Sequence, residues 1–106
     1  MILFNEVVSG KSQADGVFTV LLAGADCFAR HQIQVEVSAT PADGHLAVAM
    51  RSPGAEDFVT LDGAFDLASD DLVKVFGPAF VAEFQFTPTD FDAAKTYNVI
   101  VTSGEG

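Results

Sequence analysis

The chain has 106 residues, one cysteine and a formal charge of -10, from 5 Lys+Arg against 15 Asp+Glu. That length corresponds to a single domain, residues 1-106, and a lone Cys27 excludes an intrachain disulfide and fits folding in a reducing cytoplasm. The acidic balance repels phosphate backbones and anionic lipid surfaces, which argues against nucleic acid and membrane as partners.

Hydrophobic residues make up 49 % of the chain, with 10 Phe and no Trp. That is enough for a core without metals or disulfides. Phe has no polar handle, so these rings belong in a core or an interface. No apolar run approaches the length of a membrane span. Met1 to Glu6 lacks the basic start and cleavage site of a signal peptide and reads instead as the start of a strand.

Ile2 to Val8 is apolar and β-prone. Ser9 to Gly16 is polar and punctuated by glycine, which predicts a loop. Gly10-Lys11-Ser12 has the ending of a phosphate-binding loop, but the motif requires a glycine where this chain has Asn5, and a following helix. Gly16 to Leu22 predicts a second strand, apolar on both sides, as in a central strand or one that meets a partner. The simpler reading of both strands is burial in the core. Ala23 to Asp26 turns the chain, and Cys27 to His31 is a short strand or an irregular link.

Gln32 to Ala39 alternates cleanly, with Ile33, Val35, Val37 and Ala39 on one side. Thr40-Pro41-Ala42-Asp43-Gly44 has turn chemistry. Leu46, Val48 and Met50 then alternate with Ala47, Ala49 and Arg51, so the two segments are expected to form a hairpin. Short strands follow at Phe58 to Leu61, Ala64 to Leu67 and Leu72 to Phe76, the last ended by Gly77-Pro78. Finally, Ala82, Phe84 and Phe86 alternate with Glu83, Gln85 and Thr87. Tyr97, Val99 and Val101 repeat the pattern after a loop containing Pro88 and Phe91 to Lys95, giving the strongest expected strand pair. The sum is about eight or nine short strands, an all-β antiparallel sandwich of Ig-like or jelly-roll-like kind.

The chemistry-bearing residues form no catalytic set. A Ser-His-Asp arrangement needs a base, an orienting acid and an exposed nucleophile, and neither His31 nor His45 has such a neighbourhood. His45 follows a turn glycine and reads as solvated. Cys27 and His31 share a side of an extended chain, yet Cys27 beside Phe28 reads as a small buried hydrophobe. Asp62, Asp66, Asp70 and Asp71 lack the spacing of a calcium loop and read as solvated turn residues, with calcium the alternative. Tyr97, opening the last strand, is expected to bond back across a sandwich corner. No catalytic, metal or cofactor-binding residue is assigned, and no cofactor is implied.

Within Phe58 to Ser103, a run of elements resembles small virion structural proteins of tailed bacteriophages. The elements are Asp66-Leu67-Ala68, then Phe76-Gly77-Pro78, then Phe84-Gln85-Phe86-Thr87-Pro88, then Tyr97-Asn98-Val99-Ile100-Val101-Thr102-Ser103-Gly104. The family pattern often has Arg or Lys just before the Thr-Pro step, whereas this chain has Gln85, and the N-terminal half carries no such likeness. The resemblance implies a non-enzymatic capsid cement (decoration) protein, or a tail or fibre accessory. Its implied partners are copies of itself and major capsid or tail proteins, and its implied location is the virion, after synthesis in the host cytoplasm. A ligand- or carbohydrate-binding sandwich module is the alternative. Zero Trp and one Tyr weigh against it, because sugar platforms use exposed amphipathic aromatics.

Overall fold

The structure, a computed structural model, describes residues 2–22 and 28–104. Among them run nine strands: β1 (Ile2–Lys11), β2 (Phe18–Leu21), β3 (Phe28–Val37), β4 (His45–Arg51), β5 (Val59–Thr60), β6 (Phe65–Asp66), β7 (Val73–Phe80), β8 (Glu83–Thr89) and β9 (Tyr97–Gly104). One sheet has the order β1-β9-β3-β7. The other has the order β2-β8-β4-β5, with β6 also on β4. Every pair is antiparallel.

The pairings β4 with β6, β3 with β7, β2 with β8 and β1 with β9 are nested. The chain is therefore one long antiparallel ribbon, with β5 near its tip, rolled so that β9 also meets β3 and β8 also meets β4. That is jelly-roll order, not the order of an immunoglobulin sandwich.

This wrapping overturns both expected local pairs. β3 and β4 do not form a hairpin; they lie in opposite sheets. Ile33 and Val35 on one and Leu46 and Val48 on the other are all buried in the core cluster. Each strand thus turns its apolar side toward the other sheet. β8 and β9 are likewise in opposite sheets. Alternation reports that one side of a strand is buried; it does not report which strand lies alongside.

Glycine works at the β3–β4 crossing. Gly44 has φ +130°, and a Cβ there would stand 3.0 Å from Phe91 Cα. The close approach packs this corner against the buried Phe91, whose amide donates to Gln13 Oε1 at 2.9 Å.

Boundaries shifted where bulges let strands continue. β1 runs on to Lys11, past the loop expected from Ser9, through a register shift after Val8. A short 3-10 turn, Gln13–Asp15, follows, with the Asp15 carboxylate accepting from the Ser12 amide at 2.7 Å. β3 begins at Phe28, includes His31 and ends at Val37, so Ala39 is exposed loop. β7 continues through Gly77-Pro78, because the register shift opposite Ala29 to His31 absorbs the extra residue. Pro88 is not in a loop; it is buried within β8. The turn expected at Ala23 to Asp26, and Cys27 itself, lie outside the described residues.

Two strands differ from expectation in their exposure, and a third turns apolar residues outward. β1 and β2 were expected in the core, but each is the edge strand of its sheet. Ile2, Val7 and Leu21 are exposed. β1 and β2 lie on the same side of the sandwich: the Phe18 ring stands 6.2 Å from Tyr97 and 5.1 Å from Lys11 Nζ. On β7, Val73 and Val75 point outward, while the Lys74 ammonium reaches over the Phe65 ring at 5.5 Å. Between the sheets, Phe65, Phe84, Phe86 and Tyr97 fill the interior.

Candidate interaction surface

In a sheet, residues directly opposite one another point to the same face. On β3, Ala29, His31, Ile33 and Val35 are buried, so Phe28, Arg30, Gln32, Gln34 and Glu36 face out. The register carries that face across all four strands. One row is Val7, Ile100, Gln34 and Val73. The next is Asn5, Thr102, Gln32 and Val75, with the Thr102 hydroxyl donating to Asn5 Oδ1 at 2.8 Å. At the end of the sheet Phe28 lies opposite Phe80, their ring centroids 5.1 Å apart. Both rings are more than half exposed, as is Val75.

Arg30 and Glu36 are the charged residues among these outward positions. Most of the other described acidic side chains lie elsewhere: Asp15, Asp43, Glu56, Asp57, Asp62, Asp70, Asp71, Asp90 and Asp92 are between strands. Glu83 is on the other sheet, where it accepts from Arg51 Nε at 2.7 Å. Its sheet neighbours there include Thr19, Gln85 and Leu21. The outer face of β1-β9-β3-β7 therefore combines exposed Val and Phe side chains with few charges, on a chain whose net charge is -10. Exposed Val and Phe side chains on a weakly charged face make it the candidate association surface.

The edge of that sheet is guarded. Glu6 lies opposite Val101, whose side chain is buried, so Glu6 is set on the core-facing side at the rim, where it stays exposed. An inward-directed charge on an edge strand opposes strand-by-strand addition.

Among the described residues, those considered for chemistry do not converge. His31 and Ser103 are neighbours across β3 and β9, both fully buried. The Ser103 hydroxyl and His31 Nδ1 are 2.7 Å apart, and His31 Nε2 is 3.0 Å from the Ala79 carbonyl oxygen. A carbonyl only accepts, so Nε2–H donates to it and the Ser103 hydroxyl donates to Nδ1. The imidazole edge also meets the Phe84 ring, at 5.7 Å. The pair has the spacing of a base and nucleophile, but Nε2 is tied to backbone and both groups are sealed from substrate, so it is a buried polar clasp joining β3, β7 and β9. His45 is exposed at the start of β4. Asp62, Asp66, Asp70 and Asp71 are exposed, and Asp66 Oδ1 accepts from the Ala68 amide at 3.0 Å. Among the described residues no three His, Cys, Asp or Glu side chains are grouped to hold a metal ion.

Tyr97 does not make the expected corner hydrogen bond. It is 1 % exposed and its hydroxyl has no partner among the described residues. Phe91 stands edge-on at 5.4 Å and Phe18 is tilted at 6.2 Å, and neither ring carries an acceptor oxygen. Burial, with a smaller effect from the Asp15 charge, pushes the Tyr97 hydroxyl up to about 12. As the sole tyrosine of a chain without tryptophan, it offers no exposed sugar platform.

Sequence reasoning found β7 but not its outward valines. Val73-Lys74-Val75 alternates as though the valines were inside and the lysine outside. The arrangement is the reverse, because the lysine stem covers Phe65 at the margin of the core. No helix of the described residues is long and apolar enough to cross a membrane. No protein-family model matches the chain, and no curated protein matches its sequence.

Proposed function

We propose that this chain is a bacteriophage virion structural protein, of the capsid cement (decoration) kind, that stabilises a shell by associating with copies of itself and with the major capsid protein. It works by binding, without catalysis, and its place is the virion after synthesis in the host cytoplasm. The observation that supports this reading best is the weakly charged outer face of β1-β9-β3-β7, where Val7, Val73, Val75, Phe28 and Phe80 are exposed. An isolated protein gains nothing from leaving such residues in water, whereas an assembly protein buries them on its target. The resemblance in the second half of the chain points the same way. Jelly rolls serve viral capsid, lectin and cupin domains alike, so the architecture accommodates this reading without selecting it.

The test is co-sedimentation of the purified protein with phage shells assembled without it. Binding that saturates at a fixed ratio to the major capsid protein is expected. Binding to isolated tails instead would reassign it as a tail accessory. Failure to bind either would overturn the proposal.

A further inference from the structure

The outer face of β1-β9-β3-β7 has an internal pattern that fits one occupant, a second copy of the same face. On β3, Arg30 and Glu36 stand three residues before and three after Ile33. On β7, Val75 and Val73 lie opposite Gln32 and Gln34, one residue to either side of the same level. On β9, Thr102 and Ile100 occupy those two levels, and on β1 so do Asn5 and Val7. The valine and polar rows of the face are thus centred on the level of Ile33, with opposite charges on either side of them, and the Phe28–Phe80 pair lies beyond Arg30.

We infer that two copies pack face to face about a two-fold axis that lies in the contact plane and crosses β3 at right angles at the level of Ile33. That rotation reverses each strand and lays it over its own counterpart. Val73 then covers the partner's Val75, and Ile100 covers the partner's Thr102. Arg30 meets the partner's Glu36, and Glu36 meets the partner's Arg30. Each charge sits roughly 10 Å from the axis, at about 3.3 Å per residue, and two packed sheets lie about 10 Å apart. Arg and Glu side chains extended toward each other span that gap, even with sheets crossing at about 30°. A two-fold contact must be self-complementary, and one cation and one anion at equal distances from the axis meet that requirement. Most described acidic side chains lie between strands and not on this face, so their repulsion between two strongly negative chains is screened by salt.

This inference rests on the proposed function only for the idea that the face is an association surface. It is tested on the purified protein alone by sedimentation velocity over a range of concentrations. The wild type is expected at twice the 11.1 kDa chain mass. Arg30 and Glu36 are exposed, so Arg30→Glu and Glu36→Arg should fold normally, which circular dichroism checks. Each variant alone faces like charges at both ends and should dimerise on the order of a hundredfold more weakly. Mixed together, the two variants restore both opposite-charge pairs and should form a heterodimer with wild-type affinity. A wild type that stays monomeric at all concentrations overturns the inference. So does unimpaired dimerisation of the single variants, or a mixture that fails to dimerise. A monomer that still binds shells would refute the dimer and leave shell docking intact, while a dimer that ignores shells and tails would do the reverse.

Discussion

Replacing Tyr97 with Phe should make the protein more stable, which is an uncommon direction for a change at a core position. The Tyr97 ring is buried between Phe18 and Phe91, and both contacts survive in the variant. What leaves is a hydroxyl with no hydrogen-bond partner among the described residues. Burying such a group uncompensated costs about 1–3 kcal/mol in proteins. Its removal forfeits a few heavy-atom contacts at roughly 0.1–0.2 kcal/mol each. The net gain is about 1 kcal/mol, equivalent to a rise in melting temperature of about 4 °C. Urea titration reads it as a higher midpoint at unchanged slope. The hydroxyl also gives an alkaline signature. With its pKa raised from 10.0 in the unfolded chain to about 12 in the folded one, the folded state holds the proton more tightly. The stability contributed is complete below pH 10 and is lost as pH rises from 10 through 12. Tyr97→Phe should lack that component of the loss. A variant less stable than wild type by about 1 kcal/mol or more would refute the reasoning, since that is the behaviour of a buried hydroxyl with a partner.

Phe84→Ala should cost about 3–5 kcal/mol in the same titration, since Phe84 is fully buried against His31, Phe76 and Phe86; a much smaller loss would remove it from the core. Ser103→Ala takes the partner from buried His31 Nδ1 and should destabilise by about 1–3 kcal/mol, and an unchanged midpoint would contradict the clasp. Gly44→Ala forces a Cβ against Phe91 at a positive φ and should cost about 1–3 kcal/mol, with thermal melting as the check. Melting curves in calcium and in chelator should superimpose, because the Asp62, Asp66, Asp70 and Asp71 carboxylates are exposed and ungrouped; a calcium-dependent rise would show a site there.

The strands and their buried sides were legible because alternation is a local signal. Ala82, Phe84, Phe86, Val99 and Val101 point inward as their spacing predicts. The partners of those strands were not legible. A rolled ribbon pairs Val7 with Ile100 and Phe18 with Phe86, across most of the chain, while turn residues such as Pro41 and Gly44 mark only that the chain reverses. Gly77-Pro78 and Pro88 read as strand breakers, yet a register shift absorbs the first and β8 holds the second. The interaction face was hidden for a related reason. Val73, Val75 and Phe80 have the composition of core residues, and only their register against β3 turns them outward. The edge strands show the same limit, since Ile2 to Val8 and Gly16 to Leu22 carry apolar residues on both sides, which fits association as well as the core burial first expected. His31 and Ser103 are 72 positions apart, so their clasp has no local pattern at all.

The outer face of β1-β9-β3-β7 should be covered when this protein assembles. Hydroxyl-radical footprinting of assembled and isolated protein tests it residue by residue. Phe28, Val73, Val75 and Phe80 should become protected on assembly, while Val59, exposed on the opposite sheet, should label equally in both states. Unchanged labelling of the four, or protection confined to Val59, would contradict the account.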